Sequence, residues 1–190
     1  MDKKPVKHSK SSGRRSYTKK KNKNSKIHQK TKIIKKVKTT PLSTIDLISC
    51  LSDEPHFIGV YSADEILSIS IKAFPVSLIV NLEPKSNEGS HWVCIWIGKT
   101  YIEIFDSLGF DPKSWGFFPL HLFQFFSRFK HSHKFKISPV CQSVLSHYCG
   151  LFCIYFICKR PFDTFENCCS SINSANFNRS FRKACIFILK

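Results

Sequence analysis

The stretch QSVLSHYCGLFCIYFIC, residues 142–158, changes from polar to apolar at Cys149. Residues 142–148 have the composition of an irregular polar loop, and the apolar run after them is typical of a buried helix that Pro161 ends. A cysteine at such a junction faces the unpaired N–H groups and the positive dipole of the helix N-terminus, which favour a thiolate. Cys149 is therefore predicted to be a nucleophile at the N-terminus of a buried helix.

A hairpin upstream of this helix is predicted to bring two polar residues together. Residues 91–97 and 101–106 alternate as β-strands do, and Gly98 opens the tight turn between them. His91 begins the first strand and Asp106 ends the second, so both are expected at the same end of the hairpin. The sequence therefore predicts a contact between the His91 and Asp106 side chains.

Cys149, His91 and Asp106 are the residue types that a thiol peptidase requires. An imidazole takes the proton of the thiol and later protonates the leaving amine, and an acid fixes the tautomer of that imidazole. Gln142, seven residues before Cys149, can direct an amide N–H group at the oxyanion. A single cysteine is usually core material, so the prediction depends on the joint arrangement of the four residues.

The remaining segments predict a mixed α+β domain, with a central mixed or antiparallel sheet flanked by helices. A helix over residues 44–51 is predicted to bury Ile45, Ile48 and Leu51. The other predicted elements are an extended segment at 57–61, a helix that Ser62 begins and Pro75 ends, a strand at 76–82, a helix at 115–129, a strand at 134–140 and two short helices within 162–190.

Positive charge is concentrated in residues 1–40, which contain 16 of the 30 Lys and Arg residues and only one acid. We interpret these residues as a basic arm that is disordered in isolation, and residues 41–190 as the folded domain. The charge favours binding to a polyanion such as DNA without sequence specificity, and a nuclear-import signal is compatible with it. The candidate DNA-binding residues are Arg14, Arg15, Lys19, Lys20, Lys21, Lys35 and Lys36.

The cysteine content indicates a reducing compartment. Nine cysteines are present, an odd number, and the first residues do not resemble a signal peptide. Free thiols are therefore expected instead of a disulfide framework. No apolar run reaches the ~18 residues of a transmembrane helix, so no membrane association is expected.

Several short motifs carry a resemblance to a known family over about residues 55–160. They are FIGVY at 57–61, LIVN at 78–81, HW at 91–92, DSLGF at 106–110, Gln142 and CGLFC at 149–153. In these motifs the chain resembles the adenovirus endopeptidase (adenain) family, which includes proteases of virus-like large DNA transposons of the Polinton or Maverick type.

The resemblance implies a papain-like fold with the active-site residues in the permuted order His91, Asp106, Gln142, Cys149. It implies a cysteine endopeptidase that cleaves capsid or core precursor proteins during particle maturation, in the host nucleus and in the virion. It also implies DNA as an activating cofactor, whereas the chemistry itself needs no cofactor. Adenoviral enzymes bind an activating peptide through a cysteine upstream of the Gln. Cys141 is the only cysteine shortly before Gln142 and is adjacent to it, so the need for a peptide stays open.

Three alternatives stay open at this stage. The first is deconjugation of a SUMO- or ubiquitin-like modifier, although those proteases usually carry Asp where Tyr148 precedes the nucleophile here. The second is a metal site formed by His131, His133, Cys141 and Cys149, whose spacing does not match a zinc knuckle, so that we expect no metal. The third is a basic nucleic-acid-binding protein with a vestigial active site.

Overall fold

The structure is a computed structural model that describes residues 25–26, 28–33, 40–109 and 119–172. It confirms a mixed α+β fold, in which a five-stranded mixed sheet is flanked by helices. The strands are β1 (Phe57–Tyr61), β2 (Val76–Asn81), β3 (Trp92–Ile97), β4 (Tyr101–Phe105) and β5 (Lys134–Ile137). The helices labelled here are α1 (Thr44–Leu51), α2 (Leu120–Ser127), α3 (Cys149–Lys159) and α4 (Phe165–Ser170), and Glu65–Ser68 and Arg160–Phe162 are 3₁₀ turns.

The strands lie in the sheet in the order in which they occur along the chain. The central pairs β2–β3 and β3–β4 are antiparallel, whereas β1 is parallel to β2 and β5 is parallel to β4. The predicted hairpin is confirmed: Gly98 N–H donates to the Tyr101 carbonyl at 2.9 Å, and Cys94 lies opposite Phe105. The register therefore places the residue before β3 and the residue after β4 at one end of the hairpin.

Strand β3 is buried on both faces. Trp92, Cys94 and Trp96 belong to a core with helices α1 and α3, and Val93, Ile95 and Ile97 belong to a second core with α2. Because side chains alternate between the two faces of a strand, successive residues of β3 pack into two different cores. Both faces of the sheet are covered at β3, which fixes the positions of the strand ends that carry polar residues.

Helix α3 is confirmed as a buried helix that begins at Cys149. All ten residues from Cys149 to Cys158 are buried, and Phe156 stacks on Phe105 of β4 with ring centroids 4.7 Å apart. Pro161 follows the last turn, where the chain continues as a 3₁₀ turn. This helix holds Cys149 against the face of the sheet near the hairpin end.

Helix α1 forms as predicted but buries a different face. Ser43 caps it in a capping box with Asp46. The buried residues are Leu47, Cys50 and Leu51, whereas Ile45 is 77% exposed and Ile48 is 45% exposed. The prediction that Ile45 and Ile48 face the core is therefore wrong, because the i, i+3, i+4 set that begins at Leu47 is the one that packs on α3.

The helix predicted after Ser62 is reduced to one 3₁₀ turn. Glu65 does reach back to the Ser62 N–H at 3.1 Å, as a capping box requires. Ile69, however, is already extended (φ −73°, ψ 129°), and it packs with Ile71 on the core that contains α2. These two β-branched residues disfavour a continued helix, and the chain instead buries their side chains from an extended backbone.

Part of the predicted arm packs on the domain. Residues 28–33 are helical, and Ile33 is only 5% exposed within the core that contains α3. Lys26 Nζ pairs with Asp53 Oδ1 at 2.6 Å, just after α1. The packed part of the chain thus begins before residue 41, since Ile33 supplies apolar area that the sequence interpretation did not assign to the domain.

Within residues 25–26, 28–33, 40–109 and 119–172, no helix has both the length and the apolar character that crossing a membrane requires. Of the two short helices predicted within residues 162–190, the structure describes one, α4, and residues 173–190 lie outside the described residues.

The packing of α1 predicts unequal effects for two substitutions on one helix. Leu47→Ala should lower the free energy of unfolding by about 2–5 kcal/mol, because Leu47 is fully buried. Ile45→Ala should change it by less than about 0.5 kcal/mol, because Ile45 is exposed. Urea unfolding of both variants tests this, and an equal loss in the two would contradict the observed orientation of α1.

Candidate functional site

His91 and Asp106 form a buried pair at the end of the β3–β4 hairpin. His91 Nε2 lies 2.6 Å from Asp106 Oδ1, His91 is 6% exposed and Asp106 is fully buried. The contact predicted from the hairpin is therefore present. Because Asp106 occupies Nε2, Nδ1 is the ring nitrogen left to meet another partner.

Asp106 is held by hydrogen bonds from the backbone just after it and from the segment after β5. Oδ1 also accepts the Leu108 N–H at 2.9 Å. The Ser138 hydroxyl accepts the Asp106 N–H at 2.9 Å and donates to the Asp106 carbonyl at 2.7 Å. Ser138 is a residue that sequence reasoning missed, since no motif or spacing links it to a residue 32 positions earlier.

The Cys149 thiol lies within interaction distance of the His91 imidazole. Burial lowers the pKa of His91, but the hydrogen bonds and charges of Asp106 and Cys149 outweigh burial and raise this pKa to about 9. An imidazole with this pKa holds its proton at neutral pH. A protonated imidazole beside a thiol favours the thiolate, which is the nucleophilic form of cysteine.

The other described cysteines are in environments that keep the thiol protonated. Burial raises the pKa of Cys50 and Cys141 to about 12 and that of Cys168 to about 11. Burial also raises the pKa of the remaining described thiols other than Cys149, which are Cys94, Cys153, Cys158 and Cys169. These thiols suit the core role that the sequence suggested for them.

The Gln142 amide is hydrogen-bonded at both ends within the protein. Its Nε2 donates to the Ser146 carbonyl at 2.8 Å, and its Oε1 accepts the Ser107 hydroxyl at 2.7 Å. A carbonyl can only accept, so the Ser146 contact fixes which end of the amide is the NH₂ group. Gln142 therefore braces the loop before α3, and it does not itself line the cleft next to Cys149.

Cys149 and His91 line an open cleft of about 830 Å³. One wall is formed by residues 41–44 before and at the start of α1, and another by residues 60–62 and Glu65. The loop after β2 and the loop before α3 complete it, through residues that include Asn87, Gly89, Val144 and His147. An open cleft that is lined by a thiol and an imidazole can accommodate an extended peptide chain.

Arg14, Arg15, Lys19, Lys20, Lys21, Lys35 and Lys36 lie outside the described residues. Among the residues that the structure does describe, no group of three or more His, Cys, Asp or Glu side chains is placed to hold a metal ion. In particular, His133 contacts Ser132 and the Gly98 carbonyl.

A scan against protein-family models finds no family that matches this sequence, and a search of curated proteins finds no match either.

The environments of the thiols predict the order in which they react. Limited iodoacetamide at pH 7 should alkylate Cys149 first, because it contacts an imidazole that carries a proton at this pH, whereas burial keeps the other described thiols protonated. Peptide mapping by mass spectrometry identifies the labelled residue.

Asp106→Asn is the control for this labelling, because it keeps the size of the side chain and removes its charge. Alkylation of Cys149 should slow by about tenfold in this variant, since the imidazolium loses its paired anion. Labelling of Cys50 or Cys141 before Cys149 in the unmodified chain would contradict the proposed activation of Cys149 by His91.

Proposed function

We propose that this protein is a cysteine endopeptidase of papain type. The observation that supports it best is the buried contact from Asp106 to His91 to Cys149, which opens on a cleft. Cys149 is the nucleophile, His91 is the base and later the acid, and Asp106 orients the His91 ring. The chain order of these residues and their placement on a hairpin and a helix N-terminus agree with a permuted papain-like fold.

The proposed reaction begins when the Cys149 thiolate attacks the carbonyl carbon of the scissile peptide bond. A tetrahedral oxyanion forms, His91 gives its proton to the leaving nitrogen, and the C–N bond breaks to leave a thioester. Neutral His91 then takes a proton from water, and the resulting hydroxide displaces the Cys149 sulfur. The carboxylic acid product leaves, and the thiolate and imidazolium are restored.

The oxyanion needs N–H donors next to Cys149. The backbone N–H of Cys149 stands at the first position of α3, where a helix provides no partner for it. We assign Gln142 as the second donor, because its Nε2 has a second hydrogen besides the one given to the Ser146 carbonyl. For that role the Gln142 amide must turn into the cleft when substrate binds, since it does not line the cleft in the free protein.

The substrate class is proposed from the sequence motifs. The resemblance to the adenain family favours precursor proteins of a viral or virus-like particle, cleaved in the host nucleus and in the virion. Deconjugation of a SUMO- or ubiquitin-like modifier is the rival activity. Cleavage of a modifier with a Gly-Gly tail, measured in parallel with cleavage of a capsid precursor, distinguishes the two.

Non-specific DNA binding by the basic arm is the second part of the proposal. Residues 1–40 have a net charge of +15, and the other 150 residues have a net charge of only +2. Neutralisation of phosphates by several Lys and Arg residues releases counterions, which makes affinity high and strongly dependent on salt. DNA then serves as a cofactor that holds the enzyme close to its substrates.

Substitution of the nucleophile should separate catalysis from binding. Cys149→Ala should reduce peptide cleavage by more than roughly a thousandfold, because no other group forms the thioester. DNA affinity should stay unchanged, since the substitution adds or removes no charge in the arm. Fluorescent peptide turnover and DNA titration of the same preparation test this, and full cleavage by the Cys149→Ala protein would refute the proposed function.

Charge removal in the arm should have the reverse effect. Neutralising Lys19, Lys20 and Lys21 to Gln should lower the slope of log K against log salt by about 0.9 for each phosphate that the arm no longer neutralises. Peptide cleavage without DNA should be kept. Substitution is preferable to deletion of residues 1–40, because deletion also removes Ile33 from the core.

The matched control neutralises three exposed lysines of the folded domain, Lys72, Lys99 and Lys130. This triple variant has the same net charge as the arm variant and should keep the salt slope of the unmodified chain. Equal slopes for the arm variant and the control would show that the arm has no special part in DNA binding.

A further inference from the structure

A hydrogen bond joins the residue after His91 to the start of the folded domain. The indole Nε1 of Trp92 donates to the Leu42 carbonyl at 2.9 Å, and both residues are buried. Leu42 belongs to residues 41–43, called the strap here, which precede α1 and line the cleft. The strap is thus tied to the strand end that carries His91, across 50 residues of sequence.

The strap and Trp92 also close around the residue after Cys149. A Cβ atom on Gly150 would lie 3.2 Å from Trp92 Cδ1, 3.3 Å from Leu42 Cβ and 3.2 Å from Leu47 Cδ2. These three side chains therefore touch the backbone of the first turn of α3. One turn further along, the Cys153 thiol donates to the Trp92 carbonyl at 3.5 Å.

We propose that Trp92 is a positioning residue that holds the Cys149 thiol against the His91 imidazole by clamping the strap onto α3. Trp92 packs against Gly150. His91 directly precedes Trp92 and Cys149 directly precedes Gly150, so each reacting residue is bonded to one member of this packed pair. This inference rests on the proposed function. It adds the strap, through its Leu42 carbonyl, to the parts on which catalysis depends.

The indole N–H is the part of Trp92 on which this clamp depends. Leu42 is 3% exposed, so its carbonyl loses a buried partner when the N–H is removed. The strap can restore a partner only by moving toward solvent, and it then leaves the backbone of Gly150. Because the strap and Gly150 both lie beside Cys149, a movement of the strap changes the distance between the Cys149 thiol and the His91 imidazole.

Trp96 provides a matched control on the same strand and the same face of the sheet. It is 2% exposed, and its Nε1 is buried without a hydrogen-bond partner in the described part of the chain. Trp96→Phe therefore removes the same atoms as Trp92→Phe but breaks no hydrogen bond. Its ring contacts His56 and Arg160, and neither of these residues lines the cleft that contains Cys149.

The test compares Trp92→Phe with Trp96→Phe in the full chain. The rate of Cys149 alkylation from pH 6 to pH 9 reports the thiol–imidazole contact without substrate, and kcat and KM report turnover. For Trp92→Phe we expect the rate of Cys149 alkylation at pH 7 and kcat each to fall by about tenfold, which is the size expected from one buried hydrogen bond. We also expect a change in the pH at which alkylation is half-maximal. For Trp96→Phe we expect the pH profile and kcat of the unmodified chain.

A second substitution keeps the test valid if Trp92→Phe does not fold. 3-Benzothienylalanine at position 92 preserves the shape of the ring and replaces the N–H group with sulfur. It should slow alkylation as Trp92→Phe does. Alkylation at the unmodified rate in this protein would overturn the inference, as would equal losses in the Trp92→Phe and Trp96→Phe variants.

The two proposals fail in different ways. If the unmodified chain cleaves no peptide but Trp92→Phe slows alkylation, the proposed function is wrong and the positioning role of Trp92 stands. If the unmodified chain cleaves peptides and Trp92→Phe alters neither alkylation nor kcat, the positioning role is wrong and the proposed function stands.

Discussion

The buried pair of His91 and Asp106 is the constraint around which the rest of the site is arranged. A carboxylate with no solvent exposure is costly to keep charged unless it is paired and hydrogen-bonded. Oδ1 has two donors, His91 Nε2 and the Leu108 N–H, whereas Oδ2 is buried without a partner among the described residues. The charge of Asp106 is therefore directed mainly at the imidazole, which favours a proton on His91.

The surrounding fold keeps this pair in place from several sides. The β3–β4 hairpin sets the separation of the two residues, and Ser138 after β5 bonds both backbone groups of Asp106. The two cores on either face of β3 prevent the strand from shifting its register, because a shift by one residue would exchange their side chains. Helix α3 then brings Cys149 to the His91 imidazole.

The sequence was sufficient for the parts of the site that are local or set by a hairpin. The change from polar to apolar at Cys149 predicts the start of α3, and the lengths of the strands around Gly98 predict the contact of His91 with Asp106. The sequence was insufficient for contacts between side chains that are far apart along the chain. Neither the bonds of Ser138 nor the two contacts of the Gln142 amide have a local signal. In α1, the isoleucines and the set that begins at Leu47 have similar helical spacing, and only packing on α3 selects the latter.

The protonation state of His91 tests the central claim most directly. The folded-state pKa lies above the ordinary value of 6.5, so the stabilisation from this pair is complete below about pH 6.5 and is lost as the pH rises through about 9. Nitrogen-15 NMR of the His91 ring from pH 5 to pH 10 measures this titration. We predict two protonated ring nitrogens at pH 7, a transition near pH 9, and a lower pKa of His91 in the Cys149→Ala variant. A His91 ring that is neutral at pH 7 and titrates near 6.5 would contradict the proposed ion pair.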